Sequence, residues 1–345
     1  MGGQRIRPAA AERGPDQYLY GTNEWIPIYD TQEREMLISD VMAVFKHPQA
    51  KAPMTSGRKV DYIPSRKIVI PVNRENVIKY GILDAKFADQ IPDSIVLTIS
   101  KDKDYLSKPE LFMLDLLAGY EWDRPLHLLN MGGDLNIGIK EYLEYNGYSF
   151  KFVPIKNKTT TTEAGFVDTD ELYRLMTETF RFDAVSRDDY FIDYQNMYTH
   201  LGVMSLRGMF VTSAEAFIKA GEDDRALEMI DMAADVMKHY PLETIPLGFS
   251  GNDYMVVLMI EDYYKLGQTE KARSLASELG AQLLQSAKFY IEFYDWARDE
   301  FELVGQYLYF LSDVMKQAGD TELAALLTDG LVALVDEASA ALEAS

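Results

Sequence analysis

Three short stretches in the last third of the chain follow one template: a glycine between two helical patterns, with an alanine five residues later. They carry Gly221 with Ala226, Gly267 with Ala272, and Gly319 with Ala324, and the glycines lie 46 and 52 residues apart. Glycine enters the left-handed backbone region without steric cost, so it can end one helix and turn the chain into the next. An alanine in the following turn lets the two helices approach closely. The spacing therefore predicts helical hairpins. The first pairs Leu206, Met209, Phe210, Phe217 and Ile218 with Ala226, Met229, Ile230, Ala233 and Met237. The second pairs Met255, Leu258, Met259, Tyr263 and Leu266 with Ala272, Leu275, Ala276 and Leu279. The third pairs Phe310, Leu311, Val314 and Met315 with Leu323, Leu327, Leu331 and Leu334. Both periods exceed the roughly 34 residues of a tetratricopeptide repeat, so the region reads as tetratricopeptide-like rather than as strict copies. Stacked hairpins present a surface; they do not name a reaction.

The N-terminal half has a different rhythm. The β-branched run at 67–72 and the segments 94–100, 125–131 and 149–153 read as strands, and 73–81, 107–118 and 137–145 between them read as helices. Ser107-Lys-Pro-Glu110 is a helix start with a hydroxyl cap, an early proline and a glutamate three residues on. Asp30-Thr-Gln-Glu33 looks like another, opening a helix with Met36, Leu37, Val41, Val44 and Phe45 on one side. A further helix is expected at 172–180, capped from Asp168. Alternation of this kind argues for an α+β or α/β layer, a small mixed sheet with helices. The expected division is a lead-in over 1–16, an α/β domain over 17–200 and an all-α repeat domain over 201–345.

Charge and composition exclude several classes. Lys and Arg number 34 against 55 Asp and Glu, for a net charge of −21. A nucleic-acid binder needs a basic footprint, and docking on anionic lipid needs one too. With no cysteine in the sequence, disulfides, thiolate metal sites and cysteine nucleophiles are all ruled out. No apolar run approaches the roughly 20 residues that cross a bilayer, and the basic start with Arg5, Arg7 and Arg13 leads into no apolar core of a signal peptide.

The chemistry scan is sparse. His47, His127, His200 and His239 show no metal-ligand spacing, and His127 falls within a strand as a packing residue. Asn130-Met-Gly-Gly-Asp134 lies between a strand and a helix, where free backbone N–H groups can hold an anion. Gly132, Gly133 and Asp134 are therefore candidate ligand residues, although their spacing fits neither a dinucleotide fingerprint nor a P-loop. The acidic pairs Asp102/Asp104, Asp188/Asp189 and Asp223/Asp224 suit helix capping better than glycoside chemistry. Aromatic residues crowd 289–296. Tyr290, Phe293 and Tyr294, continuing to Ala297 and Phe301, are expected down one helix face, and with Trp296 they could floor a peptide or sugar groove. Tyr18, Tyr20, Trp25 and Tyr29 form a second cluster. No cofactor, metal or catalytic residue is assigned.

Several segments carry a family resemblance in their order. They are Asp40-Val-Met-Ala-Val-Phe45, Asp61-Tyr-Ile-Pro64 with Ile70-Pro-Val72, Leu106-Ser-Lys-Pro-Glu-Leu-Phe-Met-Leu-Asp115, Trp122-Asp-Arg-Pro125, Tyr142-Leu-Glu-Tyr-Asn-Gly-Tyr148 with Val153-Pro154, and Val167-Asp-Thr169. Together they resemble the C-terminal soluble region of a bacterial family of multi-pass membrane proteins of unknown function, relatives of protein O-mannosyltransferases. The resemblance implies a module on the periplasmic side of the inner membrane. It also implies that glycosyl transfer belongs to a membrane-embedded part outside this sequence, so it carries no catalytic residue over to this chain. The function expected is binding of acceptor polypeptide, glycan or a partner protein. The alternatives are a scaffold for membrane subunits and a carbohydrate-active enzyme with its site near Gly132–Asp134.

Overall fold

A computed structural model of the protein describes residues 25–30, 33–53, 57–129, 135–157, 166–191, 203–242 and 254–344. The lead-in, Tyr18, Tyr20, His200 and the Gly132, Gly133, Asp134 turn lie outside these. The chain divides into two compact units, Met1–Asp168 and Thr169–Ser345.

The first unit is built from short strands. In order they are β1 (Trp25–Pro27), β2 (Glu35–Leu37), β3 (Ala52–Pro53), β4 (Lys59–Val60), β5 (Lys67–Pro71), β6 (Ser94–Thr98), β7 (Tyr105–Ser107), β8 (His127–Leu128), β9 (Leu143–Tyr145) and β10 (Phe150–Phe152). They form four small sheets, β1-β7, β3-β4, β2-β5-β6 and β8-β10-β9. The sheet β2-β5-β6 is mixed: β2 runs parallel to β5, and β6 antiparallel to it. Its middle strand shows why these residues extend. Ile68 and Ile70 are buried on one side and meet Leu97 and Ile95 across the ladder, while Lys67 and Pro71 face out. That is period-two burial. Helices α1 (Ile38–Lys46), α2 (Arg74–Lys79) and α3 (Lys108–Ala118) accompany the sheets. Val41, Phe45, Leu111, Leu114, Trp122 and Phe152 join the strand isoleucines in one core.

Helix α3 starts as its sequence predicts. The Ser107 N–H and hydroxyl both donate to Glu110 Oε2, at 2.8 and 3.1 Å. The other oxygen accepts from the Asn136 N–H at 2.8 Å and lies 3.1 Å from Lys103 Nζ, so this buried carboxylate is well supplied with donors.

Two expectations fail locally. The helix expected from Asp30 begins at Ile38, because Glu35–Leu37 pairs with β5. Asp30 instead latches a loop, accepting from the N–H of Glu33 at 2.9 Å and of Arg66 at 3.0 Å. The helix expected over 137–145 is a 3₁₀ turn, Ile139–Tyr142, followed by strand β9. All three β9 residues are buried, and a strand covered on both faces shows no alternation to distinguish it from a helix. This segment also protects the edge of β6. The Val96 N–H donates to the Tyr142 hydroxyl at 3.3 Å, and that hydroxyl sits 3.2 Å from the Val96 carbonyl. An unpaired edge invites foreign strands, and this one is covered.

The second unit is helical: α4 (Thr169–Arg174), which runs on into a π-type turn, then α5 (Val203–Ala220), α6 (Asp223–Val236), α7 (Met255–Lys265), α8 (Thr269–Glu292), α9 (Tyr294–Gln317) and α10 (Thr321–Ala344). The pairs α5/α6, α7/α8 and α9/α10 are the three expected hairpins. Each turn repeats the same bonds. Gly221, Gly267 and Gly319 have φ of 75°, 70° and 87°. Each glycine N–H reaches the carbonyl three residues back, and the next N–H reaches five back: Gly221 to Ile218 with Glu222 to Phe217, Gly267 to Tyr264 with Gln268 to Tyr263, Gly319 to Lys316 with Asp320 to Met315. This is a Schellman closure. The residue after each glycine also precedes the next helix, and its carbonyl accepts from Ala226, Ala272 or Ala324, all three fully buried. Phe310, expected inside, is exposed beside Tyr309.

Side-chain bonds tie one hairpin to the next. The Tyr263 hydroxyl donates to Asp231 at 2.9 Å, and Lys271 adds contacts at 2.7 and 2.8 Å. The Tyr264 hydroxyl and Arg273 both meet Asp320 Oδ2 at 3.0 Å. Proximity to these carboxylates and burial both hold the phenols ionised less readily: the Tyr264 hydroxyl is pushed up to about 12, chiefly by burial.

Candidate functional site

The aromatic run at 289–296 sits where α8 gives way to α9. Phe293 alone joins the two helices, with φ −119° and ψ 31°, and Ala297 repeats nearly the same non-helical angles four residues later. The N–H groups of Trp296 and Ala297 both donate to the Phe293 carbonyl at 2.9 Å. Two breaks so close together form a tight corner. They also overturn the single helix face expected for Tyr290, Phe293, Tyr294, Ala297 and Phe301. Tyr290 turns into the interior and Ala297 is buried inside the bend, whereas Phe289 and Phe293 stay about half exposed, at 49% and 50%, and Trp296 is 90% exposed. No glycine or proline marks either break, so the sequence gives no sign of them.

Ring geometry splits the corner in two. Phe289 touches Phe293 at 5.2 Å and Tyr290 at 5.5 Å, while Tyr294 stands edge-on to Phe301 at 5.8 Å. The surrounding charge is mainly acidic, from Glu292, Asp295, Asp299 and Glu300. Arg298 is engaged with Glu302 at 2.8 Å, which raises its already high pKa. Exposed rings of this kind cover apolar patches on a ligand and stack on sugar faces or proline rings. The corner offers contact area without a paired acid and base. Among the described residues, no group of three or more His, Asp or Glu is placed to hold a metal ion.

A second feature lies in the first unit, and sequence reasoning missed it. Trp122 has φ +56°, which a bulky residue rarely adopts. Packing holds it there. Its indole N–H donates to the Pro71 carbonyl at 2.8 Å, and its ring stacks on Phe152 at 5.2 Å and meets Tyr120 at 5.0 Å. Such a conformation costs on the order of 1–3 kcal/mol and often persists beside binding sites. A hollow of about 500 Å³ opens next to it, with Asn73, Arg74 and Glu121 at its polar side. The Trp122-Asp-Arg-Pro125 segment was notable in the sequence for its resemblance alone, and nothing in its residue types announces the strain. His127, expected as a packing residue, is exposed on β8 and hydrogen-bonded to the Ser149 hydroxyl at 2.9 Å.

No helix among the described residues is long and apolar enough to cross a membrane. No curated protein and no solved structure matches the chain. A protein-family model does match, over residues 7–171: the one described as TMEM260-associated domain 2. The strand-rich first unit, with its strained Trp122, is thus similar to TMEM260-associated domain 2.

Proposed function

We propose that this chain is a noncatalytic accessory module of a membrane glycosyltransferase-like protein, and that its helical hairpins hold an acceptor polypeptide, a glycan or a partner protein. TMEM260 is a protein O-mannosyltransferase, and the match over 7–171 supports a place beside such chemistry. The observation that carries the binding role is the α8–α9 corner, where Trp296 stands 90% exposed next to Phe289 and Phe293. Exposed aromatic side chains placed on rigid helices lose little entropy on contact, so they make effective anchors. On this reading the hairpins work as a tetratricopeptide-like platform on the periplasmic side of the inner membrane, and bonds are made in a membrane-embedded partner region.

The test is calorimetric titration of the chain with unfolded Ser/Thr-rich peptides and with free oligosaccharides. Trp296→Ala is expected to weaken the binding ligand at least about tenfold, in line with the loss of one anchor. The same affinity in wild type and variant, or inertness across both panels, contradicts the proposal.

A further inference from the structure

Helix α10 (Thr321–Ala344) packs against α8 and α9. Its inner side packs tightly: Gly280 lies against Leu327, and Gly330 against Leu284. Its outer side leaves Leu326 65% and Val332 52% exposed, with Val335 also exposed. Between them runs a column of carboxylates. Glu322, Asp329 and Asp336 are spaced by seven residues, close to two full turns, so they fall one below another. All three are exposed. At about 100° per residue, Leu326 falls on one flank of this column and Val332 and Val335 on the other. The helix holds no Lys or Arg, so nothing on α10 itself offsets the acidic column.

We propose that this outer face docks a cationic amphipathic helix of a partner protein. Charge decides among the occupants. A second copy of α10 would set one acidic column against another, on a chain of net charge −21. Anionic lipid is repelled for the same reason. A helix with a Lys/Arg column answers the carboxylates, while its apolar residues cover Leu326 and Val332 and remove them from water. This face is separate in sequence from the aromatic corner, and the inference does not rest on the role proposed for that corner.

The experiment titrates the full chain with a fluorescein-labelled peptide of about three Leu/Lys heptads, read by anisotropy at low and high salt. Saturable one-to-one binding is expected, weakening at least about tenfold at high salt as screening removes the charge term. The double variant Leu326→Gln/Val332→Thr should weaken it by a similar factor, with an unchanged circular-dichroism spectrum because both side chains face solvent. Asp329→Asn with Asp336→Asn should remove most of the salt dependence. Trp296→Ala should leave this binding unchanged. Absence of binding overturns the proposal. So does equal binding of a scrambled peptide of the same charge, which reduces the effect to unspecific attraction. A dimer in sedimentation that the Leu326→Gln/Val332→Thr variant dissolves also overturns it, because the occupant is then a second copy.

Discussion

Gly267 and Gly138 both have positive φ, but for different reasons, and substitution separates them. A Cβ added at Gly267 would meet nothing within 4 Å, so Gly267→Ala carries the backbone penalty alone, about 1–2 kcal/mol. A Cβ at Gly138 would sit 2.6 Å from the backbone nitrogen of Thr98. Gly138→Ala therefore adds a clash with β6, and a loss of about 3 kcal/mol or more is expected. Urea denaturation of the two variants checks the order, and equal losses would refute the close approach at Gly138. Asp262 supplies a second residue-scale prediction. It is buried, its Oδ2 has no hydrogen-bond partner among the described residues, and Lys265 lies 3.3 Å from Oδ1. Burial raises its pKa to about 6, and Lys265 offsets this only in part. Since the folded value lies above the unfolded one, the fold holds this proton more tightly. Its contribution to stability is therefore greatest below pH ~4, falls as pH rises to ~6 and stays low above that, a swing on the order of 2–3 kcal/mol. Asp262→Asn should raise stability at neutral pH and flatten this window. Melting curves between pH 4 and 7 that keep the wild-type slope in the variant would refute it.

Among the elements, those defined by a backbone requirement were the most legible. The hairpin turns could be read because left-handed φ selects glycine, and the three turns use the same two hydrogen bonds. Helix α3 could be read because Ser107, Pro109 and Glu110 each satisfy a different need of a helix start. Strand β9 could not, because Leu143, Glu144 and Tyr145 are all buried and the buried Glu144 is paired across the sheet with Lys151 at 3.0 Å. A charged residue in that position reads as solvent-facing until its partner strand is known. The α8–α9 corner was legible as a cluster of aromatic residues but not as a bend. Tyr290, Phe293, Tyr294, Ala297 and Phe301 continue at helical spacing through the break, and the geometry at Phe293 and Ala297 has no residue type that demands it. The strained Trp122 was invisible for the same reason: tertiary packing imposes its conformation against the preference of the residue.

At the scale of the molecule, the proposed role is one of contact rather than of bond-making. The strand-rich unit is similar to TMEM260-associated domain 2, and the helical unit offers an exposed aromatic corner and an acidic outer helix. Both faces sit on an acidic protein, so ligands that use them should bind by apolar contact with a salt-sensitive share from any cation they carry. The sequence has three tryptophans, Trp25, Trp122 and Trp296. Trp122 is fully buried, so a Trp25→Phe variant leaves Trp296 as the exposed reporter. Its emission, followed while Ser/Thr-rich peptides and oligosaccharides are added, reports directly on ligand contact at the α8–α9 corner. A saturable blue shift, with no saccharide converted by the purified chain, is the predicted result. Unchanged emission across both panels, or turnover of a saccharide by the chain alone, would contradict it.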